Sequence, residues 1–109
     1  MFFEINKNEW EDLGDGIKRK IVGHTEDLMA VHLEFAKGAI GHPHAHDIHD
    51  QIGYVVEGSF EAEVDGEKRV LKKGDAYIAA KLAVHGAVAL EEGSILLDMF
   101  SPVRQDFLK

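Results

Sequence analysis

From Leu28 to Phe35 the chain reads LMAVHLEF, with Met29, Val31, Leu33 and Phe35 on one side and His32 and Glu34 on the other. A period of two marks a strand that buries one face and wets the other. Ile52 to Val56, Phe60 to Val64, Lys68 to Leu71, Ala76 to Ala80 and Ile95 to Phe100 are predicted strands too. Asp65-Gly66 joins the strands on either side of it as a tight hairpin. Turn residues recur at short intervals: Gly14-Asp15-Gly16, Gly23, Gly38, Gly41, Glu57-Gly58, Lys73-Gly74-Asp75, Gly86 and Glu92-Gly93. Only Asn8 to Leu13 suggests a helical turn. Many short strands with evenly placed turns predict an all-β sandwich or barrel.

Length and composition narrow the function. The 109 residues suit one domain with a proper core, and no linker, repeat or low-complexity segment divides them. No apolar run is long enough to span a bilayer. The start, MFFEINKNEW, lacks the basic and apolar segments of a signal peptide. With no cysteine, thiolate catalysis, disulfides and Cys-based zinc sites are excluded. A cytoplasmic protein with no membrane partner is expected. The net charge of −8 argues against nucleic acid. Lys18-Arg19-Lys20 is too short a basic run to reverse that.

The chemistry gathers in GHPHAHDIHDQ, residues 41 to 51, which holds four of the seven histidines. His42, His44 and His46 alternate, so an extended backbone points them to one side. Imidazoles at i and i+2 can share a cation, but a solvated histidine-rich loop has the same sequence. A metal site also draws ligands from elsewhere, and His85, in the apolar segment AKLAVHGAVAL, is a candidate. A lone histidine there could equally be a satisfied core side chain. His24 and His32 are read as surface or loop histidines.

The spacing resembles the cupin family. Its first motif runs glycine, five residues, HxH, three or four residues, glutamate, six residues, glycine. Here Gly38 is followed by His44-Ala45-His46, Gln51 and Gly58 at those intervals. The second motif runs glycine, five residues, PxG, two residues, histidine. Here Gly74 is followed by Ala80, Leu82 and His85, so the proline and second glycine are replaced. The resemblance implies a double-stranded β-helix (a jelly-roll barrel) spanning residues 1–109 as one cupin domain, with its barrel core over about 17–101. It also implies one divalent metal ion (zinc, nickel, iron or manganese) on His44, His46, Gln51 and His85. The alternative register, His42-Pro43-His44, breaks both glycine spacings and leaves His42 and His49 as extras in the favoured one. Asp50 could replace Gln51 only by breaking the interval to Gly58. A neutral amide at Gln51 leaves the site one charge more positive than a glutamate would.

A narrower likeness lies in HxHxxxxQIGYVxEG, His44 to Gly58, and in ALEEGSILLDMFSPVRQDF, Ala89 to Phe107. Both look like the KdgF-type pectin-degradation cupins. In these, three histidines and a glutamine hold a divalent metal, and 4,5-unsaturated monouronates from pectin and alginate are linearised. The resemblance implies catalytic roles for Asp98, Phe100 and Arg104, a small anionic sugar acid as substrate, and a homodimer. The residues permit this on their own terms. SILLDMF is apolar on both faces, like a strand buried on both sides, and a carboxylate there is costly without a partner. Arg104 can fork onto a substrate carboxylate. Asp98 held by backbone N–H groups, Phe100 as core and Arg104 as an exposed tail residue are the structural alternatives. Rival functions are a dioxygenase of the quercetin-dioxygenase type, a non-catalytic sugar-binding module and a structural dimerisation domain.

Overall fold

A computed structural model describes residues 1–108. Ten strands follow one another: β1 (Glu11–Gly14), β2 (Ile17–His24), β3 (Met29–Phe35), β4 (Ile40–His44), β5 (Asp50–Glu57), β6 (Ser59–Val64), β7 (Glu67–Lys72), β8 (Ala76–Ala79), β9 (His85–Ala89) and β10 (Ser94–Ser101). They form a six-stranded sheet, β1-β2-β3-β10-β5-β8, and a four-stranded sheet, β4-β9-β6-β7, antiparallel throughout. The fold is the expected all-β double-stranded β-helix. The only helical turns among the described residues are short 3₁₀ turns at Ile5–Lys7 and Gln105–Leu108.

The alternation at Leu28 to Phe35 does what its period requires: Met29, Val31 and Phe35 are buried in β3. Along β5 every second residue from Gln51 to Val55 points inward, and along β10 Ser94, Leu96, Asp98 and Phe100 do the same. Asp65 and Gly66, with φ of 49° and 84°, make the β6–β7 hairpin, closed by Val64 opposite Glu67. Such a primed turn matches the twist of the strands it joins.

Two apolar clusters fill the space between the sheets. One holds Phe35, Val55, Phe60 and Leu96, with Phe60 meeting Phe35 edge-on at 5.0 Å between ring centres. The other holds Met29, Val31, Phe100 and Val103. Members of both clusters line a cavity of about 180 Å³, and His44 and His85 stand at it.

Two expectations need correction. The helical turn falls at Ile5–Lys7, whereas Glu11–Gly14 is strand β1 pairing with β2. His32 is neither a loop nor a free surface histidine: it lies on β3, half-buried beneath Trp10 at 5.9 Å between ring centres. The run Lys18-Arg19-Lys20, set aside above as too short, indeed makes no patch, because strand β2 turns successive side chains to opposite faces. Lys18 pairs with Glu34 at 3.4 Å, Arg19 with Glu11 at 2.7 Å, and Lys20 donates to the Ile5 carbonyl at 2.6 Å.

Candidate metal centre

The barrel brings distant histidines together through sheet register. His44, the last residue of β4, is the cross-strand partner of His85, the first residue of β9. Their ring centres lie 4.5 Å apart. His46, two residues on, lies 4.8 Å from His44 and 5.3 Å from His85 by the same measure. One nitrogen from each ring falls within 4.8 Å of those of the other two. Two donors about 2.1 Å from a common ion can be at most about 4.2 Å apart, so a bound cation needs only a small contraction.

The outer ring nitrogens are tethered. Nδ1 of His44 lies 2.7 Å from the His42 carbonyl, and Nδ1 of His85 lies 3.0 Å from the Ala83 carbonyl. A carbonyl only accepts, so each Nδ1 carries the proton and each Nε2 keeps its lone pair. This backbone tether fixes tautomer and ring direction in metal-ligating histidines. Burial above all lowers the pKa of His85. His46 is lowered to about 4, by burial first and the Arg104 charge next. The His46 and His85 rings are therefore held neutral and offer nitrogen to a cation.

Gln51 completes the set. It is buried near the start of β5, and its Oε1 lies 2.9 Å from Nε2 of His85. With His85 protonated on Nδ1, both atoms present lone pairs to each other. Two acceptors at this distance repel unless a cation lies between them. The spacing is close to the roughly 3.0 Å edge of an octahedron with 2.1 Å bonds. The donor set thus fits a divalent ion. Asp50 points elsewhere, accepting from the Lys81 amide at 3.0 Å, and the exposed His42 serves through its carbonyl.

Asp98 stands on the inner face of β10, buried, with Oδ1 unpartnered among the described residues. Burial raises its pKa to about 7, while the Gln51 amide and the Arg104 charge pull partly the other way. Phe100 is buried 6.1 Å from His46 between ring centres. Arg104 is no exposed tail residue. Its guanidinium lies 5.2 Å from the Phe100 ring and 4.2 Å from the Phe107 ring. Nε and Nη2 hold the Asp106 carboxylate at 3.0 and 2.7 Å, and Nη1 reaches 3.4 Å from Nε2 of His46. Gln51, His44, His85, Asp98, Phe100 and Arg104 line one cavity.

Sequence reasoning passed over two contributors. His49 is buried, its Nε2 3.2 Å from the Val103 carbonyl, and so ties the histidine loop to the segment that carries Arg104. Tyr77 lies beside Gln51 on the cavity wall. Its run, Ala76 to Ala80, is apolar throughout, so the pattern gave no sign of which way Tyr77 faces. The replaced glycine of the second motif leaves a trace: Leu82 has a φ of 71°, a backbone state that suits glycine. Its amide donates to the His46 carbonyl at 2.7 Å, so this turn anchors the loop despite the strain.

Comparison with known proteins agrees with the geometry. Residues 31–99 match the family described as the cupin domain. The pectin degradation protein KdgF of Dickeya dadantii (strain 3937) is 63% identical over 107 residues, covering 98% of this chain and 97% of that protein. The structure of KdgF from Halomonas sp. superposes with a TM-score of 0.97 at 55% identity, covering 98% of this chain and 97% of the other. An RmlC-like cupin from Shewanella frigidimarina NCIMB 400 follows with a TM-score of 0.92 at 47% identity, covering 97% and 94%. The chain belongs to the cupin family, within its KdgF-like group of pectin-degradation proteins.

Proposed function

We propose that this chain is a divalent-metal-dependent enzyme that linearises a 4,5-unsaturated monouronate. The observation that carries the reading is a cluster of three histidines beside one small cavity, which two of them line together with Gln51, a buried carboxylate, an aromatic face and a guanidinium. Its volume of about 180 Å³ is below the roughly 300–1,000 Å³ of sites for drug-sized ligands, and suits a single sugar ring. The strong likeness to two KdgF proteins supports the choice of a pectin-derived substrate.

His44, His46, His85 and the Gln51 oxygen would hold the ion. When bound, it supplies Lewis-acid polarisation of sugar oxygens. Asp98 takes the proton of the anomeric hydroxyl as the bond between C1 and the ring oxygen breaks and C1 becomes an aldehyde. The ring oxygen leaves as the C5 enolate. Asp98 returns the proton to C4 as the C4–C5 double bond shifts to make the C5 ketone, so the net change is an isomerisation. A carboxyl whose pKa is raised to about 7 by burial suits both transfers. Phe100 packs against the ring. Arg104 receives the substrate carboxylate on the N–H pair now held by Asp106, whose half-exposed side chain can return to water at little cost. The guanidinium and the ion together give a chain of net charge −8 a locally positive pocket.

The reading includes a cytoplasmic location and a homodimer. The outer face of the six-stranded sheet exposes Ile52, Tyr54 and Ile78, apolar surface that a second copy could cover. The deciding experiment is incubation of metal-loaded protein with unsaturated galacturonate. Loss of the enol absorbance faster than the spontaneous rate is expected; decay at the spontaneous rate with metal bound would refute the activity.

A further inference from the structure

Tyr77, Gly53 and Asp98 form one row across three adjacent strands. Gly53 on β5 is the register partner of Tyr77 on β8 and of Asp98 on β10. A Cβ on Gly53 would lie 2.2 Å from Cε2 of Tyr77, 2.4 Å from Cζ and 2.8 Å from the hydroxyl oxygen. The far end of the Tyr77 ring therefore rests directly on the bare backbone of Gly53. Gln51, two residues earlier on the same inward face, donates from Nε2 to the Tyr77 hydroxyl at 3.0 Å.

This bond decides which way the amide faces. Oε1 of Gln51 lies 2.9 Å from Nε2 of His85, whose Nδ1 proton is committed to the Ala83 carbonyl. Rotating the amide by half a turn would relieve that contact, because Nε2 could then donate to the imidazole. The closed pair would block the cation site. Two groups oppose the rotation. The Tyr77 oxygen would lose its donor, and the amide oxygen would turn toward the Asp98 carboxylate, which the NH₂ side now stabilises.

We propose that Tyr77, seated over Gly53, is a positioning residue for the metal centre: its phenol oxygen pins the Gln51 amide with the carbonyl oxygen facing the histidine nitrogens. The inference rests on the reading of Gln51 as a metal donor. Gly53 has a matching purpose, since any side chain there would displace the ring end that carries the hydroxyl.

The test is the zinc affinity of the metal-free protein, measured by competition with a chromogenic chelator. Tyr77→Phe keeps the ring and removes the oxygen, so affinity should fall roughly tenfold to a hundredfold, the range for groups that orient a ligand. Gly53→Ala should give a similar loss by pushing the ring aside. Tyr54→Phe, on the outer face of the same strand, should leave affinity unchanged. Titrations run well below each variant's melting temperature separate lost orientation from unfolding. Wild-type zinc affinity in Tyr77→Phe or in Gly53→Ala would overturn the inference. Because the readout needs no substrate, a wild-type protein that binds zinc but ignores uronate would defeat the proposed reaction alone.

Discussion

Nη1 of Arg104 stands 3.4 Å from Nε2 of His46, so the residue proposed to receive the substrate carboxylate also bears on a candidate metal ligand. Its charge is the second cause, after burial, of the depressed His46 pKa. In metal-free protein, Arg104→Ala should move the His46 titration up from about 4 toward, but not to, the ordinary 6.5, because burial remains. Histidine NMR reads this directly. The same variant should raise the KM for uronate at least about tenfold, by loss of a charge-assisted fork. Arg104→Lys should restore the low His46 pKa through its charge but not the KM, since an ammonium cannot grip a carboxylate in two places. An unchanged KM in both variants would remove Arg104 from substrate binding.

Asp98 should show itself in both turnover and stability. Asp98→Asn removes the transferable proton, and turnover should fall by about a hundredfold or more. Metal should stay bound, because the new amide oxygen can still accept from Gln51. In the metal-free fold, burial raises the pKa of Asp98 from 3.8 to about 7. The folded chain then holds a proton that the unfolded chain releases between those values. This contribution to stability is fully present below 3.8 and is lost as pH climbs through 7, by no more than about 4 kcal/mol. The stability of metal-free wild type relative to Asp98→Asn should therefore drop between pH 4 and 8. Parallel urea titrations that keep a constant gap would place Asp98 in water.

Much of this architecture can be read from periodicity, and the parts that cannot have physical causes. Strands β3, β5, β6, β7, β8 and β10 carry alternation or a two-sided apolar run that the sequence displays. Strand β9 does not alternate, because four of the five residues in His85–Ala89 are buried on both faces. Strand β4 contains Gly41 and Pro43 and buries nothing fully, so no pattern marks it. Strand β2 hides behind its charges, since Lys20 is buried with its ammonium 4.7 Å from the centre of the Trp10 ring. The pairing of His44 with His85 depends on β4 meeting β9, two strands without alternation. Motif spacing pointed to it, and patterning did not. The Tyr77–Gly53 contact lay beyond either, because a glycine in a strand does not say which ring will fill its space.

Gln51→Glu should trade substrate for metal. A carboxylate in place of the amide removes the N–H that Tyr77 now accepts and adds negative charge beside Asp98. Without metal, two neighbouring buried carboxyls resist ionisation together. The metal-free variant should therefore melt lower than wild type at pH 8, with a smaller deficit at pH 5. Zinc offsets the added charge and should raise the melting temperature of the variant more than that of wild type. The loaded site is then one charge less positive, so uronate should bind more weakly. Undiminished uronate affinity in the zinc-loaded variant would show that site charge does not govern binding.

Gly86 tests whether strand spacing sets the site. A Cβ there would lie 2.8 Å from the Gly41 carbonyl oxygen, 2.9 Å from the Pro43 nitrogen and 3.0 Å from its Cα. These are backbone atoms of β4 and cannot swing aside, so Gly86→Ala must push β4 away from β9. Overpacking of this kind costs about 1–3 kcal/mol. Because His85 precedes Gly86 and faces His44 across the same pair of strands, the displacement also spreads two candidate ligands. Zinc affinity should fall together with the melting temperature. Gly66→Ala is the contrast: at a φ of 84° in the β6–β7 turn, with open space around it, the change strains the backbone alone. It should lower the melting temperature and leave zinc affinity intact. Equal zinc affinity in the two variants would mean that the β4–β9 spacing does not hold the histidines in place.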